Sequence, residues 1–207
     1  MSIQLIGLDL HAQQKNMKPP NLHRIPALQK IDVRNTLLLR PLESSDATAL
    51  LNILEKDSSI RKKVTIASRV HSPRDIETEI EMYQKDEGLI RYTLLKNNVP
   101  IGLISFWRDE GYFEKPTSPN DYGFGYFLDP NERGKGLITE AVHCLMDVSK
   151  ENLHANQFVA FCEDGNHQSI AVLTRLGLKP TNKTFTEPTT GWMEQKYVKS
   201  LSNSDTI

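Results

Sequence analysis

The 207-residue chain contains little cysteine and no long run of apolar residues. Cys144 and Cys162 are too few for a disulfide framework, and each lies in an apolar periodic segment where a buried free thiol is expected. No window approaches the roughly 20 uninterrupted apolar residues of a membrane helix. The first ten residues lack a basic leader and a convincing cleavage site. These absences favour a protein of the reducing cytoplasm over a secreted or membrane-spanning one.

The chain also lacks an excess of charge of either sign. Lys and Arg number 25 against 26 for Asp and Glu, so no global field would draw it onto nucleic acid or an anionic membrane. With 38% apolar and 25% charged residues, it has the composition of an ordinary globular protein. Prolines break any long helix before residue 35. We therefore expect an N-terminal arm at residues 1–35, one domain at 36–201 and a short tail at 202–207.

Hydrophobic periodicity within the domain predicts a mixed α/β fold on one central sheet, with about four flanking helices. Five strands are expected before a final one at 192–198: 36–42, 89–95, 101–107, 122–128 and 158–162. Helices are expected at about 46–56, from Pro73 to about 83, at 137–152 and at 166–176.

The most informative segment is residues 127–139 (FLDPNERGKGLIT), which joins a strand to a helix through a tight turn. Free N–H groups at a helix N-terminus form an anion site. Gly134 and Gly136 let the backbone approach a phosphate closely, while Arg133 and Lys135 add positive charge. The segment suits a pyrophosphate, and a tight turn with surface cations is the plain structural alternative.

Two common phosphate-binding motifs do not match this segment. A Walker loop requires a glycine five residues before Gly134 and a Ser or Thr where Gly136 stands. A dinucleotide fingerprint requires its third glycine at Thr139, after the first strand of a βαβ unit. The phosphates must therefore belong to another kind of ligand.

Residues 131–136 (NERGKG) resemble the pyrophosphate loop of the GNAT acyl-CoA transferase family, Gln/Arg-x-x-Gly-x-Gly/Ala, with Asn at the first position. The likeness is closest to the RimJ/RimL branch and covers about residues 36–200, including the order of elements. It rests on four further matches in the right order: 125–128 (GYFL), 139–141 (TEA), Asn166-x-x-Ser169 and 176–178 (LGL).

This resemblance implies a GNAT-like, largely antiparallel sheet that opens between its fourth and fifth strands, here 122–128 and 158–162, to admit the pantetheine arm of acetyl-CoA. It implies transfer of the acetyl group to a primary amine in a ternary complex. The residues that it assigns to acetyl-CoA lie on the strand end, the loop and the following helices: Phe127, Leu128, Arg133, Gly134, Lys135, Gly136, Leu137, Thr139 and Asn166.

The same resemblance suggests two catalytic residues. Ser169 matches a serine that protonates or hydrogen-bonds the departing thiolate. Glu187 matches an acid that serves as the base, but only if the alignment deletes one residue nearby. The plain alternatives are a polar residue near a helix start and a solvated loop acid. Asp121 and Glu163 are rival bases, and water alone would suffice for an α-amine.

The acceptor is expected to be a protein or peptide N-terminus, with a small-molecule amine or a CoA-binding module without turnover as alternatives. Trp107, Tyr122, Tyr126 and Trp192 are either pocket or core residues. Cys162 and His167 fall short of a metal ligand set, so no metal is expected. The N-terminal arm, residues 1–35, has two possible roles: it covers the acceptor site, or it joins two chains in a homodimer.

Overall fold

The computed structural model describes residues 30–34, 36–85, 88–109, 118, 120–187 and 191–201. Most of the predicted arm, the predicted tail and most of the loop at 108–120 lie outside the described residues. The strands are β1 Ile31–Arg34, β2 Leu37–Pro41, β3 Leu89–Lys96, β4 Val99–Arg108, β5 Asp121–Leu128, β6 Gln157–Glu163, β7 Lys179–Thr186 and β8 Met193–Ser200. The α-helices are α1 Ala47–Lys56, α2 Ser58–Lys63, α3 Thr65–Arg69, α4 Pro73–Lys85, α5 Leu137–Leu153 and α6 His167–Arg175.

These eight strands form one sheet in the order β1-β2-β3-β4-β5-β6-β8-β7. Every neighbouring pair is antiparallel except β5 and β6, which run parallel. Tight hairpins suit the antiparallel pairs; the β3–β4 turn, for example, has Asn97 and Asn98 at φ 51° and 63°. The parallel pair instead needs a crossover, which α5 provides.

The sheet opens between its two parallel strands. β5 and β6 pair at three positions, from Asp121 opposite Gln157 to Gly123 opposite Val159. Beyond them, β5 follows β4 as far as Leu128, while β6 follows β8 as far as Glu163. The two strands therefore enclose a wedge between residues 124–128 and 160–163, which confirms the predicted opening.

Helices cover the two faces of the sheet with separate apolar cores. On one face, α5 and α6 pack on Ile104, Phe106 and Phe124, which lie in the larger core. On the other face, α1 to α4 pack on Leu103 and Phe127. Consecutive residues of β4 and β5 point to opposite cores because side chains alternate along a strand.

The four predicted helices are present, and the structure adds elements that the sequence pattern did not indicate. Ile31–Arg34 lies within the stretch predicted as an arm, yet it forms the edge strand β1. Helices α2 and α3 have six and five residues, too short to show a clear helical period. Strand β7 (KPTNKTFT) is mostly polar and exposed, as an edge strand allows. Within the described ranges, no helix has the length and apolarity to cross a membrane.

Candidate active site

A cavity of about 470 Å³ lies where the wedge meets the start of α5. The end of β5, the loop that follows it, α2 and α6 form its walls. Nine of the eleven residues that the resemblance assigns to acetyl-CoA or to catalysis line this cavity: Phe127, Leu128, Arg133, Gly134, Gly136, Leu137, Thr139, Asn166 and Ser169. The chain thus brings the strand end, the loop and the motif on α6 together around one space.

The loop backbone turns the first amides of α5 toward an anion site. Gly134 and Gly136 both adopt left-handed conformations, with φ 76° and 75°. Gly136 is the N-cap of α5, and no side chain caps the helix there. A Cβ added to Gly134 would meet nothing within 4 Å, so this glycine borders open space. The helix start is therefore accessible to an anion.

Ion pairs anchor the loop to the segment that joins α1 and α2. Lys56 Nζ lies 2.5 Å from Asp129 Oδ2, and Arg133 Nη1 lies 2.7 Å from Asp57 Oδ2. Hydrogen bonding by the Ser59 side chain, and then by Arg133, lowers the pKa of Asp57 to about 2. These two ion pairs hold the first part of the loop, residues 129–133, against that segment.

The loop cation Lys135 turns away from the cavity. Its Nζ donates to Asn131 O at 2.7 Å and lies 3.0 Å from Glu132 Oε2. Two cations that the sequence analysis did not single out, Lys63 on α2 and Arg175 on α6, do line the cavity. The packing of their helices brings both residues to the cavity. Neither belongs to a sequence motif, so the sequence alone does not indicate them.

Four residues with hydroxyl groups line the same cavity: Ser59, Tyr126, Thr139 and Ser169. The Thr139 Oγ1 and Tyr126 Oη atoms are buried without a hydrogen-bond partner among the described residues. The Asn166 side chain caps α6 by accepting a hydrogen bond from the Ser169 N–H at 3.3 Å. Unpartnered buried hydroxyls are unfavourable unless a ligand supplies the missing bond. The Thr139 hydroxyl, at the anion-binding helix start, therefore fits a phosphate-bearing ligand.

The predicted base Glu187 does not line this cavity. Its side chain is 7% exposed, and its backbone N–H donates to Trp192 O at 2.8 Å. Its carboxyl group interacts electrostatically with that of Glu194, a residue that the sequence pattern does not indicate. Burial, and then the charges of Glu187 and Glu163, raise the pKa of Glu194 to about 7. We call Glu163, Glu187 and Glu194 the carboxylate cluster.

The carboxylate cluster is built by strand register. Glu163 on β6 and Glu194 on β8 are direct partners, and Phe185 on β7 is the next partner of Glu194. Phe185 packs edge-on against Phe161, with 5.8 Å between ring centroids, so these side chains share one face of the sheet. By alternation along β6, this face is opposite to the one on which Cys162 enters the larger core.

Asp121, the other rival base, and the aromatic residues Tyr122 and Trp107 do not line the cavity. Asp121 is fully buried where β5 and β6 still pair, and its carboxylate accepts the Ser118 N–H at 3.0 Å. Tyr122 stacks on Phe106 in the core, whereas the Trp107 indole lies across Gly123. In the described part of the chain, no group of three or more His, Cys, Asp or Glu side chains is arranged to hold a metal ion.

A sheet that opens between parallel strands, with an uncapped helix start at the end of the opening, has the form of a transferase that holds an acyl-CoA donor. Comparison with known proteins identifies the family. A profile of the acetyltransferase (GNAT) domain matches residues 36–179, and the chain belongs to this family. It is an N-acetyltransferase that uses acetyl-CoA as its co-substrate.

The names of similar proteins point to different acceptors, which are ribosomal proteins in some and an aminoglycoside in another. The chain is 23% identical over 154 residues to the ribosomal-protein-serine acetyltransferase of Escherichia coli (strain K12), covering 72% of this chain and 82% of that one. RimL, a ribosomal L7/L12 alpha-N-protein acetyltransferase solved with coenzyme A, superposes with a TM-score of 0.69 at 19% identity, over 83% and 98% of the two chains. AAC(6')-Ib with ribostamycin and coenzyme A superposes at 0.68 with 20% identity, over 83% and 100%.

Proposed function

We propose that this chain transfers the acetyl group of acetyl-CoA to the α-amine at a protein or peptide N-terminus, as a member of the RimJ/RimL-like branch. The observation that carries the proposal is the wedge between β5 and β6, which has the cavity at its end, while the carboxylate cluster lies where β6 ends, β7 ends and β8 begins. A thioester held in the wedge would lie between groups suited to bind the donor and groups suited to accept a proton.

Backbone groups and hydroxyls of this chain would hold the donor. The first amides of α5 and the Thr139 hydroxyl fit the pyrophosphate, with Lys63 and Arg175 adding positive charge. The strand end at Phe127 and Leu128 offers backbone groups to the pantetheine arm and to the thioester carbonyl, as an oxyanion site does. Acetyl-CoA supplies an acyl carbon with a thiolate leaving group.

Ser169 is proposed to hydrogen-bond that leaving thiolate. Its side chain lines the cavity near the start of α6, where Asn166 fixes its backbone N–H. A hydroxyl beside the sulfur stabilises the negative charge that develops as the carbon–sulfur bond breaks. The role predicted from the resemblance is therefore compatible with the position of this residue.

Glu187 is proposed as the proton acceptor for the amine, with Glu194 as its coupled partner. A free α-amine has a pKa near 8, so it must lose a proton before it attacks. A general base works best when its pKa lies near the working pH. Burial and the neighbouring carboxylates raise the pKa of Glu194 to about 7, which supports a proton-accepting role for this group of side chains near neutral pH.

Direct attack on the thioester is favoured over an acetylated enzyme. The thiol nearest the wedge, Cys162, is buried, and its pKa is raised to about 11, chiefly by burial. Such a thiol is protonated at neutral pH and is a poor nucleophile. The amine itself is then the attacking group.

An acceptor comparison tests the proposal. The chain is incubated with acetyl-CoA and either a peptide with a free N-terminus, the same peptide with a blocked N-terminus, or an aminoglycoside, and release of the CoA thiol is followed. We expect release with the free peptide and background release with the blocked one. Release with the aminoglycoside alone would favour the small-amine function, which the AAC(6')-Ib superposition supports. CoA binding without release with any amine would favour a binding module.

A further inference from the structure

Tyr126 on β5 places its polar end inside the protein. The residue is partly buried at the cavity wall, and its hydroxyl oxygen is fully buried and has no hydrogen-bond partner among the described residues. This arrangement is the reverse of the usual one, in which a tyrosine at a surface keeps its hydroxyl in water. The hydroxyl therefore calls for a hydrogen-bond partner that it does not have in this structure.

The polar side chain next to this hydroxyl is Ser169. Burial raises the pKa of Tyr126 to about 12, and Ser169 counters part of that rise. Both residues line the same cavity, Tyr126 from β5 and Ser169 from the start of α6, and their hydroxyl groups do not meet in hydrogen-bond geometry in this structure. Burial keeps the tyrosine protonated at neutral pH, so it can act only as a neutral hydrogen-bond donor or acceptor.

We propose that Tyr126 is a positioning residue for the transfer reaction: its hydroxyl donates a hydrogen bond to Ser169 Oγ and thereby points the Ser169 proton toward the CoA sulfur. A serine hydroxyl has one proton and two lone pairs and rotates freely. A hydrogen bond from the Tyr126 hydroxyl to one lone pair of Ser169 Oγ restricts the rotation of the serine hydroxyl. This inference rests on the proposed function, because it assigns Ser169 to the leaving group.

The reaction balances without a net change at either hydroxyl. The amine nitrogen bonds to the acyl carbon, the carbon–sulfur bond breaks, and its electron pair remains on sulfur as the thiolate. The ammonium form of the amine loses two protons: the first goes to the carboxylate cluster before the attack, and the second goes to solvent as the amide forms. Ser169 and Tyr126 keep their protons and stabilise the thiolate through two hydrogen bonds in series.

The test compares Tyr126→Phe with Tyr122→Phe. Both variants remove one hydroxyl from the same face of β5, but Tyr122 lies four residues earlier, stacked in the core where the strands still pair. Phe124 and Phe127 show that β5 already accommodates phenylalanine rings, and the melting temperature of each variant is recorded. We expect kcat to fall about tenfold in Tyr126→Phe, with the KM for acetyl-CoA within about twofold, and no change in Tyr122→Phe.

Two further readouts separate positioning from a merely structural role. In a double-mutant cycle, Tyr126→Phe should add little to the loss caused by Ser169→Ala, because the tyrosine acts through the serine. The ultraviolet absorbance of the thiolate reports ionisation of CoA bound to the protein without an acceptor. We expect the bound thiol to be an about tenfold weaker acid in both variants than in the wild type.

Additive losses in the cycle, or wild-type kcat and thiol ionisation in Tyr126→Phe, would overturn the inference while leaving the proposed function intact. If the wild type transfers acetyl to no amine, the proposed function fails. The thiol titration then still decides whether Tyr126 and Ser169 act on the CoA sulfur.

Discussion

Two regions beside the wedge are built by different means: the cavity proposed to bind acetyl-CoA, here called the donor side, and the carboxylate cluster proposed to serve the amine, here called the acceptor side. On the donor side, the cavity depends on backbone: two glycines with positive φ, an uncapped helix start and a strand edge released from its partner. On the acceptor side, the carboxylate cluster depends on side chains that register and burial bring together. Backbone geometry is expected to tolerate side-chain changes nearby, whereas the carboxylate cluster should respond to single neutralising substitutions.

The largest effect should come from a change to the donor-side backbone. Gly134→Val places a branched side chain in the open space beside the helix start and strains a residue at φ 76°. We expect CoA affinity, measured by calorimetric titration, to fall about 100-fold, as a conflict of about 3 kcal/mol gives. Gly177→Val is the matched control, because Gly177 has φ 81° at the end of α6, away from the loop. Equal losses of affinity in both variants would contradict a specific role for the loop.

A change to the acceptor side should affect turnover and spare binding. Glu187→Gln should lower kcat about 100-fold at pH 7 with unchanged CoA affinity, because it removes the proposed proton acceptor. In the wild type, kcat/KM should rise as the pH increases through about 7, where Glu194 loses its proton. In Glu194→Gln, this rise should disappear, because the substitution removes the group that titrates near pH 7. An unchanged pH profile in Glu194→Gln would exclude coupling between the two carboxyl groups.

The cavity cations should contribute less than the loop backbone. Lys63→Ala should weaken CoA binding about threefold at low salt, and Lys135→Ala should change it less than Lys63→Ala, because Glu132 and Asn131 hold the Lys135 side chain outside the cavity. Titration at two ionic strengths checks this prediction, since the Lys63 contribution should shrink in salt. A larger loss from Lys135→Ala would show that the loop rearranges on binding.

The smallest expected effect concerns stability on the acceptor side. Glu194 has a folded-state pKa of about 7, above its ordinary value of 4.5, so the folded chain binds more protons than the unfolded chain between these values. Its contribution to stability is fully present below about pH 4.5 and is lost as the pH rises through 7. Glu194→Gln should therefore melt at a higher temperature than the wild type at pH 8, with a smaller difference at pH 5. A constant difference between the two pH values would argue against the raised pKa.

The contrast between the two sides also explains what the sequence could predict. The loop around Gly134 and Gly136, the cap at Asn166 and the nearby Ser169 are local patterns, in which residue type and spacing fix the geometry. Glu194 enters the cluster through pairing across β6, β7 and β8, and Lys63 reaches the cavity from a helix of six residues. Neither arrangement has a local signature. The edge strands β1 and β7 were missed for a related reason, since a short or polar edge strand shows little apolar alternation.

The measurement that tests the account most directly is the intact mass of both the chain and a free-amine peptide after incubation with acetyl-CoA. The account predicts that the peptide gains one acetyl group at its N-terminus, and that the chain, incubated with acetyl-CoA without peptide, gains none. A chain that becomes acetylated and then passes the group to the peptide would contradict direct transfer. An unmodified peptide beside a chain that binds acetyl-CoA would contradict the assignment of the acceptor.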